Sequence, residues 1–438
     1  MAEESKRNQS TDLWLEEHER EICQVAEDIF QYAEIAEQEN ASSERLSRYL
    51  KMHGFAVQSG VGGMPTSLRA VWGKGKPCIG FLGEYDALPG MNQGPSPVYS
   101  GDEKLPGHGC GHNLLGTGAA AAAVALRYAL EEEGREGTVI FYGCPAEEIL
   151  KGKIVMAENG CFKELDAALS WHPSDVMNPG NISYSAMDSI EFTFYGKAAH
   201  AAARPHMGRS ALDAAELMDT AANYMREHVP EDVRIHYAPI DCGIKPNIVP
   251  PKAKVWYFVR ARSRKAVDSA SEWLLDIARG AGLMTGTTPS WEFLCRGQET
   301  LVNQTMCRVI YEAMCETEKP AYTQEELAFA EALAASAGDN VSYGKMDLTI
   351  PKPDGSVIYN CGSTDVSDVS HIVPTGYFKV ACMPFGISLH SWMTTACAAM
   401  GLGHKGMLFA SKVMAKAGLR LITEEGLLAE VKKEFENN

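Results

Sequence analysis

Five residues of metal-ligating type stand in four short segments of this chain. The first segment, Gly107-His108-Gly109-Cys110-Gly111-His112-Asn113, sets a thiol and an imidazole two residues apart on a backbone that glycine leaves free to turn tightly. The same loop would also serve as a glycine turn with a buried cysteine and a capping histidine. In the second, Cys144-Pro145-Ala146-Glu147-Glu148, Pro at a first helical position followed by two acids is equally what an ordinary helix start prefers. The third is Ser170-Trp171-His172-Pro173, and the fourth carries His390 in a long uncharged stretch where a satisfied core histidine would also sit. Cys110, His112, Glu148, His172 and His390 make a mixed N, O and S set. It is large enough for two ions sharing a bridge and too large for one tetrahedral site. No count of ligands requires Glu147, which argues against the rival reading of a single closed structural zinc.

Hydrophobic period indicates the elements that must position these groups. Residues 22–33 and 46–53 repeat apolar positions at helical spacing, with Gly54 after the second run. Short apolar runs at 68–72, 79–82, 139–142 and 167–171 predict strands, and the alanine-rich 116–130 predicts a helix. Strands alternating with helices indicate an α/β layer. Asp86 in Glu84-Tyr85-Asp86 follows the second strand, Glu147 and Glu148 the third, and His172 the fourth. Ligand sites in open α/β sheets lie at the carboxyl ends of strands, so these segments are expected to converge on one rim. The run Gly116-Thr117-Gly118 fits a loose dinucleotide pattern, but a glycine loop and no strand precedes it, so it reads as close helix-to-sheet packing. No H-E-x-x-H, G-x-S-x-G or G-x-x-x-x-G-K-[ST] motif occurs.

From about residue 183 the texture changes. Ile190, Phe192 and Phe194 alternate as in a half-exposed strand, 211–225 reads as an amphipathic helix, 255–259 as a second alternating strand, and 266–278 as a helix with Gly280 just past its end. The alternation of helix and strand resumes after about residue 297 and ends in a helix at 405–417. The expected division is therefore 1–183 and 299–438 as two parts of one large domain, with 184–298 inserted as a small α+β unit.

Composition removes several classes of function. Fifty-seven Asp and Glu against 40 Lys and Arg give a formal charge of −17, a field that repels nucleic acid and anionic membranes. The charged first 20 residues hold no apolar signal segment, and twelve scattered cysteines without a C-x-x-C pair suggest reduced, mostly buried thiols. A cytoplasmic location is expected. The uncharged window 380–403 is interrupted by Pro384, Gly386, His390 and Ser391, and reads as protein interior, not a membrane span.

In order along the chain, EYDALP, GHGCGHN, PAEE, SWHP, GKAAHAAARPHMGRSALDAAELM, NIVP and GISLH resemble the motifs of the M20 metallopeptidase and amidohydrolase family. The resemblance runs from about Glu84 to the C-terminal helix. The Cys-Gly-His loop is similar to that of the D branch, which holds aminoacylases and indole-acetyl-amino-acid hydrolases. With GSTDVSDVSHIVPT and HKGM, it looks most like the AbgB-like group of aminobenzoyl-glutamate hydrolases, itself similar to animal dipeptidases for β-alanyl-lysine type substrates.

The resemblance implies an α/β catalytic domain with a mixed central sheet flanked by helices, and an inserted α+β lid and dimerisation domain with a small antiparallel sheet. It implies Cys110 as a thiolate bridging two divalent ions, Zn or Mn, with His112, Glu148, His172 and His390 as the other ligands and Glu147 as catalytic base and acid. Asp86 and Asn113 would stand behind the ligands. His200 would reach a partner subunit's site, and Asn247 and Arg260 would hold a substrate carboxylate, with Arg262 two residues away on the same strand face. Two positions depart from the pattern: Asn113 stands where Asp is usual, and Glu84 where the wider family has a metal-binding His. The expected activity is metal-dependent cleavage of an N-acyl or N-aroyl amino acid such as p-aminobenzoyl-glutamate. The alternatives are a dipeptidase for β-alanyl or related dipeptides and a weakly active subunit that needs a related chain. A homodimer through the lid is expected, or a heterodimer.

Overall fold

The computed structural model describes residues 2–243, 245–337 and 345–437. The chain runs through α1 (Ala2–Glu17), α2 (Glu19–Tyr32), α3 (Asn40–Met52), β1 (Ala56–Ser59), β2 (Leu68–Lys74), β3 (Cys78–Gly83), α4 (His112–Glu132), β4 (Gly137–Gly143), α5 (Gly152–Glu158) and β5 (Ala167–Ser174). Next come β6 (Ile182–Tyr184), β7 (Ala186–Tyr195), α6 (Ala211–Met225), β8 (Arg234–Asp241), β9 (Lys252–Ala261), α7 (Arg264–Thr285) and β10 (Thr288–Gly297). The last elements are α8 (Gln304–Glu316), α9 (Gln324–Ser336), β11 (Ile358–Asn360), α10 (Val366–Ser370), β12 (Thr375–Ala381), α11 (Trp392–Ala398), α12 (Gly401–Thr423) and α13 (Leu427–Asn437).

Two compact units divide the chain. The larger contains residues up to Ile182, Leu301–Ile358 and Val369 onward; the smaller contains Ser183–Thr300 and also Tyr359–Asp368, a segment that the sequence reading left with the larger domain.

The larger unit is built on a six-stranded sheet in the order β1-β2-β4-β3-β5-β12. Strands β3, β4, β5 and β12 run parallel, while β1 and β2 pair antiparallel at one side, so the sheet is mixed. Ile79, Phe81, Val139, Phe141 and Leu169 are fully buried, the near-continuous apolar reading of strands covered on both faces. Helix α4 is buried on every side from His112 to Leu126 and packs against β3 and α12. Its glycines permit this: a Cβ on Gly116 would lie 2.3 Å from the Glu84 carbonyl oxygen, and one on Gly118 would lie 3.0 Å from the Trp171 indole nitrogen. The dinucleotide-like run is thus a packing surface.

The uncharged window is only partly interior. Residues 380–383 and 394–398 are buried, but Phe385 and His390 are exposed because the chain turns at the surface between β12 and α11. Among the described residues no helix is long and apolar enough to cross a membrane. All twelve cysteines are free, and Cys242, Cys315 and Cys361 are exposed.

The smaller unit is a four-stranded antiparallel sheet in the order β10-β7-β9-β8, with α6 and α7 packed together on one face. Ile190, Phe192 and Phe194 of β7 and Val255, Tyr257 and Val259 of β9 point into that core, while Trp256 on the other face is 38% exposed. Ser210 and Ser263 cap the two helices by accepting from the N–H of Asp213 and Ala266. Helix α7 does not stop at Gly280. It continues to Thr285 and ends at Gly286, whose φ of 65° supplies the left-handed cap. Gly280 has open space around it, so nothing there terminates the helix.

Candidate metal centre

The carboxyl ends of three neighbouring parallel strands define the rim. Gly83 of β3 lies beside Gly143 of β4, and β5 runs on the other side of β3. Glu84 and Asp86 follow β3, Glu147 and Glu148 follow β4, and His172 sits near the end of β5 itself. The glycine loop enters from the side and passes directly into α4, so that His112 is the first residue of that helix. Gly111, at φ 77°, makes this abrupt entry possible. The Pro145 segment is not the helix start that its composition predicts. Ala146 adopts a left-handed φ of 57° and residues Glu147–Ile149 form a single tight turn, which exposes two consecutive carboxylates to the rim while α5 begins only at Gly152. The Ala146 N–H is held by the buried carboxylate of Glu39, 2.8 Å away.

The five candidate ligands converge. Cys110 Sγ is 3.4 Å from His172 Nε2, and His390 Nε2 is 3.3 Å from Glu148 Oε2. Around His112 Nε2 stand Glu84 Oε2 at 3.3 Å, Glu148 Oε1 at 3.9 Å and Glu147 Oε2 at 4.0 Å. Three sets of ligand atoms lie within 4.8 Å of one another: Cys110, His112 and His172; Cys110, Glu148 and His390; and Glu84, His112 and Glu147. The first two share the Cys110 sulfur.

Hydrogen bonds behind the set orient it. His112 Nδ1 donates to Asp86 Oδ1 at 2.9 Å and His172 Nδ1 donates to the Pro173 carbonyl at 2.6 Å, so both rings turn Nε2 toward the cluster. Asp86 Oδ2 also accepts from the Glu148 N–H at 2.9 Å, tying β3 to the turn after β4. His390 has a left-handed φ of 58°, and its N–H donates to the Gly109 carbonyl, which pins the surface turn to the glycine loop. Asn113 does not stand behind the ligands. Its amide donates to the carbonyls of Ala26 and Ala398 and ties α4 to two other helices.

The electrostatics ask for a cation. Burial, helped by Glu148, pushes the Cys110 thiol well above its ordinary value, and burial lifts Glu148 to about 7, with Asp86 adding to it. Burial and the neighbouring His112 hold His172 well below the usual imidazole range. Burial works against a charged Asp86, but the hydrogen bond from His112 wins and keeps that carboxyl below its ordinary value. His112 Nε2 and Glu148 Oε1 are buried without a hydrogen bond. Orphaned acceptors and a thiol that needs a positive neighbour to ionise fit a divalent metal centre.

Three sequence-predicted residues belong to the smaller unit. His200 Nδ1 accepts from the N–H groups of Ala202 and Ala203, which assigns the proton to Nε2. The Asn247 carbonyl accepts from the Ala201 N–H, which sets Asn247 beside His200. Arg260 lies on β9, loses solvation by burial, and donates to Ser363 Oγ at 3.2 Å; among the described residues it pairs with no carboxylate. Arg262 lies past the end of β9, not on its face, and stacks on the Tyr359 ring. Sequence reasoning missed Ser363 and Lys153. The latter is a fully buried lysine whose ammonium is 2.6 Å from Glu84 Oε1.

The family description for peptidase family M20/M25/M40 matches residues 80–391, which takes in every segment of the rim. The chain belongs to this family. M20 membership makes it a hydrolase, and its relatives narrow the branch. It is 38% identical to the B-type subunit of p-aminobenzoyl-glutamate hydrolase from Escherichia coli K12, over 96% of this chain and 93% of that one. It is 31% identical to mouse Xaa-Arg dipeptidase, over 93% of this chain and 87% of the relative. The fold is shared with the crystal structure of an aminobenzoyl-glutamate utilization protein from Klebsiella pneumoniae, at a TM-score of 0.65 and 16% identity over 94% of this chain and 99% of that one.

Proposed function

We propose that this M20 hydrolase cleaves the amide bond of an N-acyl or N-aroyl amino acid, with p-aminobenzoyl-glutamate the foremost substrate. The observation that carries the reading is the pair of ligand sets joined at Cys110, with the Glu147 carboxylate beside them and outside both. Cys110, His112 and His172 would hold one ion, and Cys110, Glu148 and His390 the other. Two divalent ions, Zn or Mn, would supply a water acidified toward neutrality and positive charge for a carbonyl oxygen.

Glu147 takes the proton of the attacking water and returns it to the departing amine. His200 with its proton on Nε2 is set to donate, and in a homodimer it would serve the oxyanion of a second copy, a contact often worth about 3 kcal/mol. Arg260, with no acid partner among the described residues, would hold the free carboxylate with Asn247, since a planar guanidinium matches carboxylate geometry better than an ammonium. The extended identity to one chain of a p-aminobenzoyl-glutamate hydrolase supports the aroyl-glutamate substrate and allows a related partner chain. Free thiols agree with a cytoplasmic location.

A second reading is a dipeptidase for β-alanyl or related dipeptides, and the mouse relative, an Xaa-Arg dipeptidase, supports its reaction class. One experiment separates them. Protein reconstituted with Zn or Mn is given p-aminobenzoyl-glutamate, N-acetyl and indole-acetyl amino acids, and β-alanyl dipeptides, and amine release is followed by mass spectrometry. Chelator-sensitive cleavage of the aroyl conjugate alone supports the first reading, and cleavage of dipeptides alone replaces it with the second. Turnover only after addition of a related chain identifies a dependent subunit.

A further inference from the structure

Beside the proposed ligands lies an ion pair that neither ligand set uses. Glu84 and Lys153 both have fully buried side chains, and the ammonium nitrogen is 2.6 Å from Glu84 Oε1. The other oxygen, Oε2, is 3.3 Å from His112 Nε2, the nitrogen grouped with Cys110 and His172. Glu84 therefore stands as close to that nitrogen as any carboxylate in the rim, and its ligand atom lies within 4.8 Å of those of His112 and Glu147, as the proposed ligands' atoms do among themselves. A buried ion pair is a weak source of stability, because desolvating two charges costs about as much as their attraction returns. Its position calls for another account.

The backbone is built to deliver this lysine. Gly152, the first residue of α5, lies so close to the Pro145 carbonyl that a Cβ there would be 1.7 Å from the oxygen. Only glycine lets α5 start directly under the Glu147–Glu148 turn, and the next residue is Lys153. A cation in the first turn also sits at the unfavourable end of the helix dipole, so helix formation does not select it. Charge does. Five acidic groups, Cys110, Glu84, Asp86, Glu147 and Glu148, meet at the rim, and the Lys153 ammonium would share their compensation with two divalent ions.

We propose that Lys153 is a positioning residue that holds Glu84 away from the metal centre. The carboxylate stays a neighbour of His112 and does not become an extra ligand, so a coordination position is left for water. The proposal rests on the metal-centre reading above.

The test is zinc release to a chromogenic chelator, with metal content by mass spectrometry and steady-state kinetics on the cleaved substrate. It compares wild type, Lys153→Met, Glu84→Gln and the double variant. Lys153→Met frees Glu84 to ligate and should slow zinc release about tenfold, while kcat falls about tenfold or more and KM holds. Removing the freed carboxylate in the double variant should move both readouts back toward wild type. Glu84→Gln alone removes a negative charge beside the centre and should speed zinc release about tenfold, a readout available even if Lys153→Met does not fold. A folded Lys153→Met protein that releases zinc at or above the wild-type rate overturns the proposal. So does a double variant that behaves as Lys153→Met, or a Glu84→Gln protein that releases zinc as wild type does. Wild type that binds no metal overturns the metal-centre reading itself, a result distinct from all of these.

Discussion

The polar residues of the two units are held in opposite ways. In the larger unit Glu84, Asp86, His112, Glu147 and Lys153 are all buried, and His112 alone faces four carboxylates within 4.0 Å. In the smaller unit His200 and Asn247 are exposed, and what holds them is main chain: two N–H groups on His200 Nδ1 and the bond from the Ala201 N–H to the Asn247 carbonyl. The contrast follows from the cost of burial. Charges taken out of water must be compensated within their own cluster, so the rim is wired side chain to side chain before any ligand arrives. Exposed groups carry little such cost and can be left aimed by the backbone alone. Arg260 is the intermediate case, partly desolvated and, among the described residues, without an acid partner.

The sharpest way to break this contrast is within the rim. Glu147→Gln is expected to lower kcat by about a thousandfold or more while metal content stays at the wild-type level, because the proton carrier goes and no ligand is lost. Full activity in that variant would remove Glu147 from the chemistry. Cys110→Ser should deplete both ions together, since its sulfur is common to two ligand sets, whereas His390→Ala should deplete one. Metal analysis that finds a single ion lost in both variants would dissolve the shared-bridge arrangement.

In the smaller unit the effects should be of another kind. Arg260→Ala is expected to raise KM for a carboxylate-bearing substrate about tenfold, with kcat within about twofold and metal content unchanged, and Arg260→Lys should recover little of it. A fall in kcat at constant KM would instead give Arg260 a role in the chemical step. The smallest effect concerns stability. Burial raises Asp368 to about 7, far above the value of a carboxylate in an unfolded chain, so between those values the native state binds the extra proton. Wild type should therefore lose stability as pH rises from about 4 to about 7. Asp368→Asn keeps an acceptor for the Gln298 N–H and should not follow that slope, so its melting temperature should gain on wild type between pH 5 and pH 8. Parallel melting curves at both pH values would show that Asp368 is charged in the native state.

Much of the rim was legible because its signals are local. A thiol and an imidazole separated by glycine, two acids after an apolar run, and a histidine at the end of another can each be read within a few residues, and the strand period predicts which ends they occupy. Local reading failed where neighbours in space override it. Pro145 with two acids has the composition of a helix start, yet the Glu39 carboxylate on the Ala146 N–H accompanies a tight turn there. Gly280 has the look of a helix stop, but the helix runs on to a left-handed glycine six residues later. Asn113 sits in the metal-like loop, and its side chain serves helix packing instead.

Strand and helix periods, the family, and the residue types of the candidate ligands are legible along the chain, because they depend on neighbours in sequence. Three features exist only in the fold: Glu84 and Lys153 form a buried pair beside His112, Arg260 meets no acid among the described residues, and Tyr359–Asp368 joins the smaller unit. Each of these depends on which groups share one small volume, and burial sets the energy of a charge according to what shares that volume with it. A glutamate and a lysine 69 positions apart read as two solvated charges until the fold removes the water between them.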